Sequence, residues 1–119
     1  MRRAAEVVID GIGAALAAAK PGALVREVHA AWKKTIERQG FFKESRCGYS
    51  VGLNYPPDWG ERTISLRSSD ETVLEPGMTI HFMPAIWCDD WGIAISETIR
   101  ITDAGVETFC NFPRQLFAK

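Results

Sequence analysis

Gly92-Ile93-Ala94-Ile95-Ser96-Glu97-Thr98-Ile99-Arg100-Ile101-Thr102 is the stretch that decides the fold class. Apolar and polar residues alternate along it, and successive side chains of a strand point to opposite faces. Read as one strand, it places Ile93, Ile95, Glu97, Ile99 and Ile101 on one face and Ala94, Ser96, Thr98, Arg100 and Thr102 on the other. Upstream, Glu75-Pro76-Gly77-Met78 reads as a turn that launches a second candidate strand over residues 79–87. Pro84 lies inside that run and implies an edge position or a bulge, because proline has no N–H to give to a ladder. Thr79, His81, Met83, Ala85 and Trp87 share one face of it, and Ile80, Phe82 and Ile86 the other. Cys88-Asp89-Asp90-Trp91-Gly92 connects the two runs. Asp103-Ala104-Gly105 reads as a hairpin turn into a last strand over residues 106–110.

Working outward, residues 49–53 form another candidate strand, whereas Tyr55-Pro56-Pro57-Asp58-Trp59-Gly60 is no regular element, since the residue before each proline is pushed into an extended conformation. The first forty residues have a different texture. Val8, Ile12, Ala15, Leu16 and Ala19 recur at helical spacing, and Lys20-Pro21-Gly22 ends that helix. A second helix carries Val25, Val28, Trp32 and Ile36 on one stripe, and Gly40 sits where a helix C-terminal glycine belongs. Both helices read as packing elements, and His29, beside the apolar stripe with no second ligand nearby, reads as a packing residue. The order helix, helix, antiparallel strands predicts an α+β fold in a single domain covering residues 1–119.

Composition bounds the function. The chain has 119 residues, 46% hydrophobic and 24% charged, with a formal charge of −1. That balance suits a globular protein and lacks the basic footprint of a nucleic-acid binder. The weakly polar run from Val7 to Ala19 is interrupted by Asp10 and is too short to cross a bilayer. Cys47, Cys88 and Cys110 are odd in number and unpaired in spacing, which argues against a disulfide framework or a zinc knuckle and points to a reducing, cytoplasmic setting.

Three groups carry candidate chemistry. Glu97 sits in the middle of an isoleucine row, and a buried carboxylate must be neutralised, paired or held by a ligand. It is either a core ion pair, with an arginine from a neighbouring element, or a catalytic acid or metal ligand. His81 would look onto the same cavity as Glu97 if the two strands pair. Tyr55, Trp59, Trp87 and Trp91 recur near Asp58, Glu61, Asp89 and Asp90. Aromatic faces beside carboxylates suit a small organic cation, and as a set they favour a pocket for one. Walker loops, dinucleotide-binding glycine fingerprints and His-Glu-x-x-His helices do not occur in the sequence.

Three segments carry a family resemblance: Arg46-Cys47-Gly48-Tyr49-Ser50-Val51-Gly52-Leu53, Leu74-Glu75-Pro76-Gly77-Met78-Thr79, and Ser96-Glu97-Thr98-Ile99-Arg100-Ile101-Thr102-Asp103-Ala104-Gly105-Val106-Glu107. In order and spacing they resemble the C-terminal half of the pita-bread superfamily of methionine aminopeptidases, Xaa-Pro peptidases and creatinases. The resemblance implies half of a pita-bread fold, two helices followed by a mostly antiparallel sheet, with the N-terminal part of the catalytic domain absent. The peptidases of this family hold two metal ions with two aspartates, a histidine and two glutamates. The aspartates have no counterpart here, the ligand histidine falls on Tyr49, a further active-site histidine on Pro56, and the first ligand glutamate on Met83. The last glutamate alone is kept, as Glu97. Tyrosine and methionine are poor donors to a hard dinuclear centre, so the resemblance implies a member with no metal and no other cofactor.

Gly48-Tyr49-Ser50-Val51-Gly52, the segment from Tyr55 to Arg67, and Asn111-Phe112-Pro113-Arg114-Gln115-Leu116-Phe117 are similar to the ectoine hydrolase branch. Those enzymes open a cyclic amidine ring to give N-acetyl-diaminobutyrate. The resemblance thus implies a hydrolase of a non-peptide C–N bond acting on a small zwitterionic or cationic substrate. Glu97 would be general acid/base or nucleophile, Tyr49 and His81 would orient the substrate or relay protons, and Tyr55 and Trp59 would form the pocket wall. A metal-dependent Xaa-Pro peptidase and a non-catalytic pita-bread binding module are the rival readings. A half domain exposes an apolar sheet edge, so the chain is expected to form a homodimer, to aggregate or to need its missing half.

Overall fold

A computed structural model describes residues 1–53, 57 and 60–117. Two helices come first, α1 (Arg2–Ala18) and α2 (Val25–Arg38), followed by seven strands: β1 (Gly48–Val51), β2 (Gly60–Ser65), β3 (Thr79–Phe82), β4 (Ala85–Trp87), β5 (Gly92–Ala94), β6 (Glu97–Thr102) and β7 (Gly105–Thr108). Five strands form one sheet in the order β2-β1-β3-β6-β7, and β4 pairs with β5. Every pairing is antiparallel. The α+β expectation holds.

The helices pack on one face of the sheet. Val8, Ile12 and Ala15 of α1 and Val25, Val28, Trp32 and Ile36 of α2 join Ile80, Phe82, Ile99 and Ile101 of the sheet in one buried cluster. Each large aliphatic side chain so buried contributes roughly 1.5–3 kcal/mol. Helix α2 has defined ends. The Glu27 carboxylate accepts the Leu24 backbone N–H at 2.9 Å, satisfying one of the donors a helix start leaves open. At the other end Gly40 takes φ +83. The Gly40 N–H then donates to the Glu37 carbonyl and the Phe41 N–H to the Ile36 carbonyl, both at 3.0 Å, the paired closure that a left-handed glycine permits.

Three sequence expectations need correction. The runs over residues 79–87 and 92–102 are each divided, at Met83-Pro84 and at Ile95-Ser96. The register is nevertheless common to both parts, from Thr79↔Arg100 through Phe82↔Glu97 to Ala85↔Ala94 and Trp87↔Gly92. Proline is the cause: Pro84 cannot donate, although its carbonyl accepts the Ile95 N–H at 3.1 Å, and the Met83 N–H turns to the Cys47 carbonyl at 2.8 Å. The second correction is β2, which the sequence pattern did not reveal. Arg62 sits at φ +59, and the β1–β2 register shifts between Tyr49 and Val51. Such an irregularity breaks the two-residue period on which strand recognition depends. The final strand also ends earlier than expected, at Thr108.

His29 is buried at 3% exposure, as a packing residue should be. Burial, reinforced by the Lys33 charge, holds its pKa below the usual 6.5, with Lys43 acting the same way and the Ser45 backbone and Glu44 opposing. The unfolded chain therefore takes up this proton first as pH falls. The stability due to neutral His29 is complete above about pH 6.5 and is lost as pH drops through the lower folded value. Melting temperature should fall between pH 7 and 5, and less steeply in His29→Gln; equal slopes would remove His29 as a cause.

The two helices meet where Gly11 lies against Trp32, which is fully buried. A Cβ at Gly11 would overlap the Trp32 indole, whereas one at Gly13 would meet nothing within 4 Å. Gly11→Ala should destabilise by about 1–3 kcal/mol through overpacking. Gly13→Ala on the same helix should stabilise by up to about 1 kcal/mol, the propensity difference. Denaturant midpoints of the two variants check the contrast.

Candidate functional site

The helix-free face of the five-stranded sheet holds the first group. Tyr49 of β1 stands directly across from His81 of β3, and His81 stands across from Thr98 of β6. Residues opposite one another in a ladder lie on the same face. The Tyr49 and His81 rings are tilted at 55° with centroids 5.2 Å apart. With Val51 and Thr98 they line an open depression of about 540 Å³. The Arg46 guanidinium lies 4.6 Å from the Tyr49 ring centre, a cation–π contact. Burial holds the His81 pKa below its usual 6.5, so the imidazole is neutral at pH 7 and keeps one nitrogen as an acceptor.

Glu97 lies elsewhere. It stands across from Phe82 and so belongs to the face opposite Tyr49 and His81. The expectation that His81 and Glu97 share a cavity is corrected by this register: the strands do pair, but offset so that His81 meets Thr98. Glu97 is 7% exposed. Its Oε1 accepts the Arg114 Nε–H at 2.6 Å, the distance of a charge-assisted bond, while Oε2 is buried without a hydrogen-bond partner among the described residues. Arg114 comes from the tail that follows β7. Glu97, Arg114, Ala94, Ser96, Cys110 and Phe112 are among the residues around a cavity of about 210 Å³. The core ion pair with an arginine of a neighbouring element is therefore present, and it is a pair at a cavity.

The aromatic and acidic set is not assembled by the described residues. Tyr55 and Trp59 lie outside them. Trp87 is exposed and Trp91 half-buried on the β4–β5 turn, where the Cys88 N–H donates to the Trp91 carbonyl at 2.8 Å, and neither borders the Tyr49–His81 depression. Val51, Thr98, Arg46 and Arg114 were not singled out by sequence reasoning. Thr98 could have been found from the His81 register had the strand offset been known. Arg114 carries no periodic signal at all. Cys47 is no nucleophile: burial pushes its thiol up to about 12.

The donor set does not make a metal centre. Among the described residues no three histidine, cysteine, aspartate or glutamate side chains cluster. Tyr49 and Glu97 face opposite ways, Glu97 is taken by Arg114, and a thioether stands at position 83. Hard divalent ions want carboxylate and imidazole donors converging on one point, and the described residues do not supply them.

Comparison with known proteins places the chain. The profile of metallopeptidase family M24 matches residues 1–103. Ectoine hydrolase from Halomonas elongata is 52% identical over 118 residues, which is 98% of this chain and 30% of that enzyme. Xaa-Pro dipeptidase from Pyrococcus furiosus is 30% identical over 114 residues, 93% of this chain and 31% of that protein. Among solved structures, the prolidase from Pyrococcus horikoshii OT3 superposes with a TM-score of 0.84 at 29% identity, covering 96% of this chain and 32% of that one. Dipeptidase PepE from Mycobacterium ulcerans gives 0.87 at 24% identity over 97% of this chain and 30% of that one, and shows the fold alone. The chain spans about three-tenths of the length of these relatives. By profile, by sequence and by its pair of helices on an antiparallel sheet, the chain belongs to metallopeptidase family M24 and carries part of the pita-bread fold.

Proposed function

We propose that this chain supplies one part of the active site of a metal-independent hydrolase that opens a cyclic amidine such as ectoine, giving N-acetyl-diaminobutyrate. The observation that carries this reading is the 52% identity to ectoine hydrolase over 98% of the chain. The donor chemistry supports it, because Tyr49 and Met83 stand where the peptidases of the resemblance place metal ligands. The remaining walls of the pocket come from sequence that the relatives have beyond this segment.

The reaction adds water to the amidinium carbon and breaks one ring C–N bond. A proton must leave the water and another must reach the departing nitrogen. Tyr49 and His81 lie on the opposite face of the sheet from Glu97, so these proton transfers fall to Glu97 and not to them. Glu97 is the group for general acid/base chemistry or for direct attack on the amidinium carbon. It acts on the ligand when it is free of Arg114. The resemblance assigns the aromatic wall to Tyr55 and Trp59.

The test is a chimera: the matching segment of the Halomonas elongata enzyme replaced by this chain, assayed by formation of N-acetyl-diaminobutyrate. Turnover is expected to persist in the presence of chelator. Glu97→Gln should lower it by about 10²- to 10⁴-fold, the range for loss of an acid/base group. His81→Asn, on the opposite face of the sheet, should leave turnover close to that of the unmodified chimera. A folded chimera without ectoine turnover, turnover lost to chelator and regained with manganese, or cleavage of Xaa-Pro dipeptides instead would each overturn the reading.

A further inference from the structure

The geometry points to the Glu97 carboxylate as an amidinium-binding site that Arg114 fills in the unliganded chain. This deepens the functional reading above, since it names what Glu97 recognises and what must leave first.

Three observations carry it. First, Glu97 has one oxygen engaged and one idle: Oε1 accepts Arg114 Nε–H at 2.6 Å, while Oε2 is buried and has no hydrogen-bond partner among the described residues. A carboxylate recognising a planar N–C–N cation uses both oxygens in parallel bonds. Here the guanidinium binds through Nε alone, which leaves that arrangement incomplete. Second, the two partners are unequally held. The Glu97 side chain is 5% exposed and that of Arg114 is 31% exposed. The acid is fixed by the first residue of β6, and the base rides on residues 109–117, beyond the last strand. Third, a cavity of about 210 Å³ lies beside the pair, several times the roughly 30 Å³ share of one water.

Guanidinium and amidinium are the same recognition element: flat, delocalised cations with N–H groups in a fork. Arg114 therefore stands in for the ligand, and the tail carrying it is a removable strap. Removing Arg114 leaves a buried, uncompensated carboxylate, which an added amidinium restores.

Acetamidinium is the probe, with methylammonium as a cation lacking the fork. Titration into the chain, followed by calorimetry, should show Arg114→Ala binding acetamidinium at least tenfold more tightly than the unmodified chain, with little gain for methylammonium. Arg114→Lys should stay near the unmodified value, and the gain should vanish in Arg114→Ala/Glu97→Gln. In the unmodified chain, the Arg114 Nε–H nuclear magnetic resonance signal should move to its solvent-exposed position as acetamidinium saturates, a readout that needs no variant. No gain in Arg114→Ala, a gain that survives Glu97→Gln, an equal gain for methylammonium, or an Arg114 signal indifferent to acetamidinium would each overturn the proposal. A chimera inactive on ectoine alongside a Glu97-dependent gain for acetamidinium would sink the assigned reaction and leave this site standing.

Discussion

The register between β3 and β6 governs everything else in this chain. Ile80 meets Ile99, His81 meets Thr98, and Phe82 meets Glu97. Slipping that pairing by one residue would move every side chain of one strand to the other face. The isoleucines fix the choice, because Ile80, Ile99 and Ile101 have no exposure left under the helices. Once they are committed, His81 must face the open side with Tyr49, and Glu97 must face the helix side. The chemistry of the site is thus set by a hydrophobic decision made two residues away.

That decision creates the problem of Glu97. A carboxylate at the end of an aliphatic row needs a counter-charge, and the sheet provides none: β7 stops at Thr108 before it reaches the level of Glu97. The tail supplies Arg114 instead. Because the acid is buried and its arginine only partly so, the pair's strength comes less from Coulomb attraction in water than from the cost of leaving Glu97 alone. The same reasoning makes the site receptive to a substitute cation. Pro84 has a related part. It interrupts the ladder between the two halves of the β-ribbon, so the segment around Ser96 and Glu97 is where regular pairing ends and a cavity begins.

Much of this was legible in the sequence, for physical reasons that differ by element. Helix α2 announced itself because Val25, Val28, Trp32 and Ile36 repeat at the helical period, and all four are buried. The alternation of β6 showed which of its residues share a face, and Pro84 marked the interruption. Strand β2 was hidden because Arg62 at positive φ breaks the alternation. The separation of His81 from Glu97 was hidden for a deeper reason. Each strand's pattern fixes its own two faces, but the offset between strands is a property of the pair and of what covers them. An arginine partner for Glu97 could be expected from the cost of burying a charge; that it would be Arg114, from a tail with no period, could not. The family and the ligand chemistry came from short motifs rather than from periodicity.

The most direct measurement is a crystal structure of the chimeric enzyme with ectoine, grown in the presence of chelator. The ring is expected in the cavity beside Glu97, with its amidinium on the Glu97 carboxylate and the Arg114 guanidinium moved away. Ectoine bound with the Arg114–Glu97 pair intact, or on the Tyr49–His81 face of the sheet, would contradict the assignment.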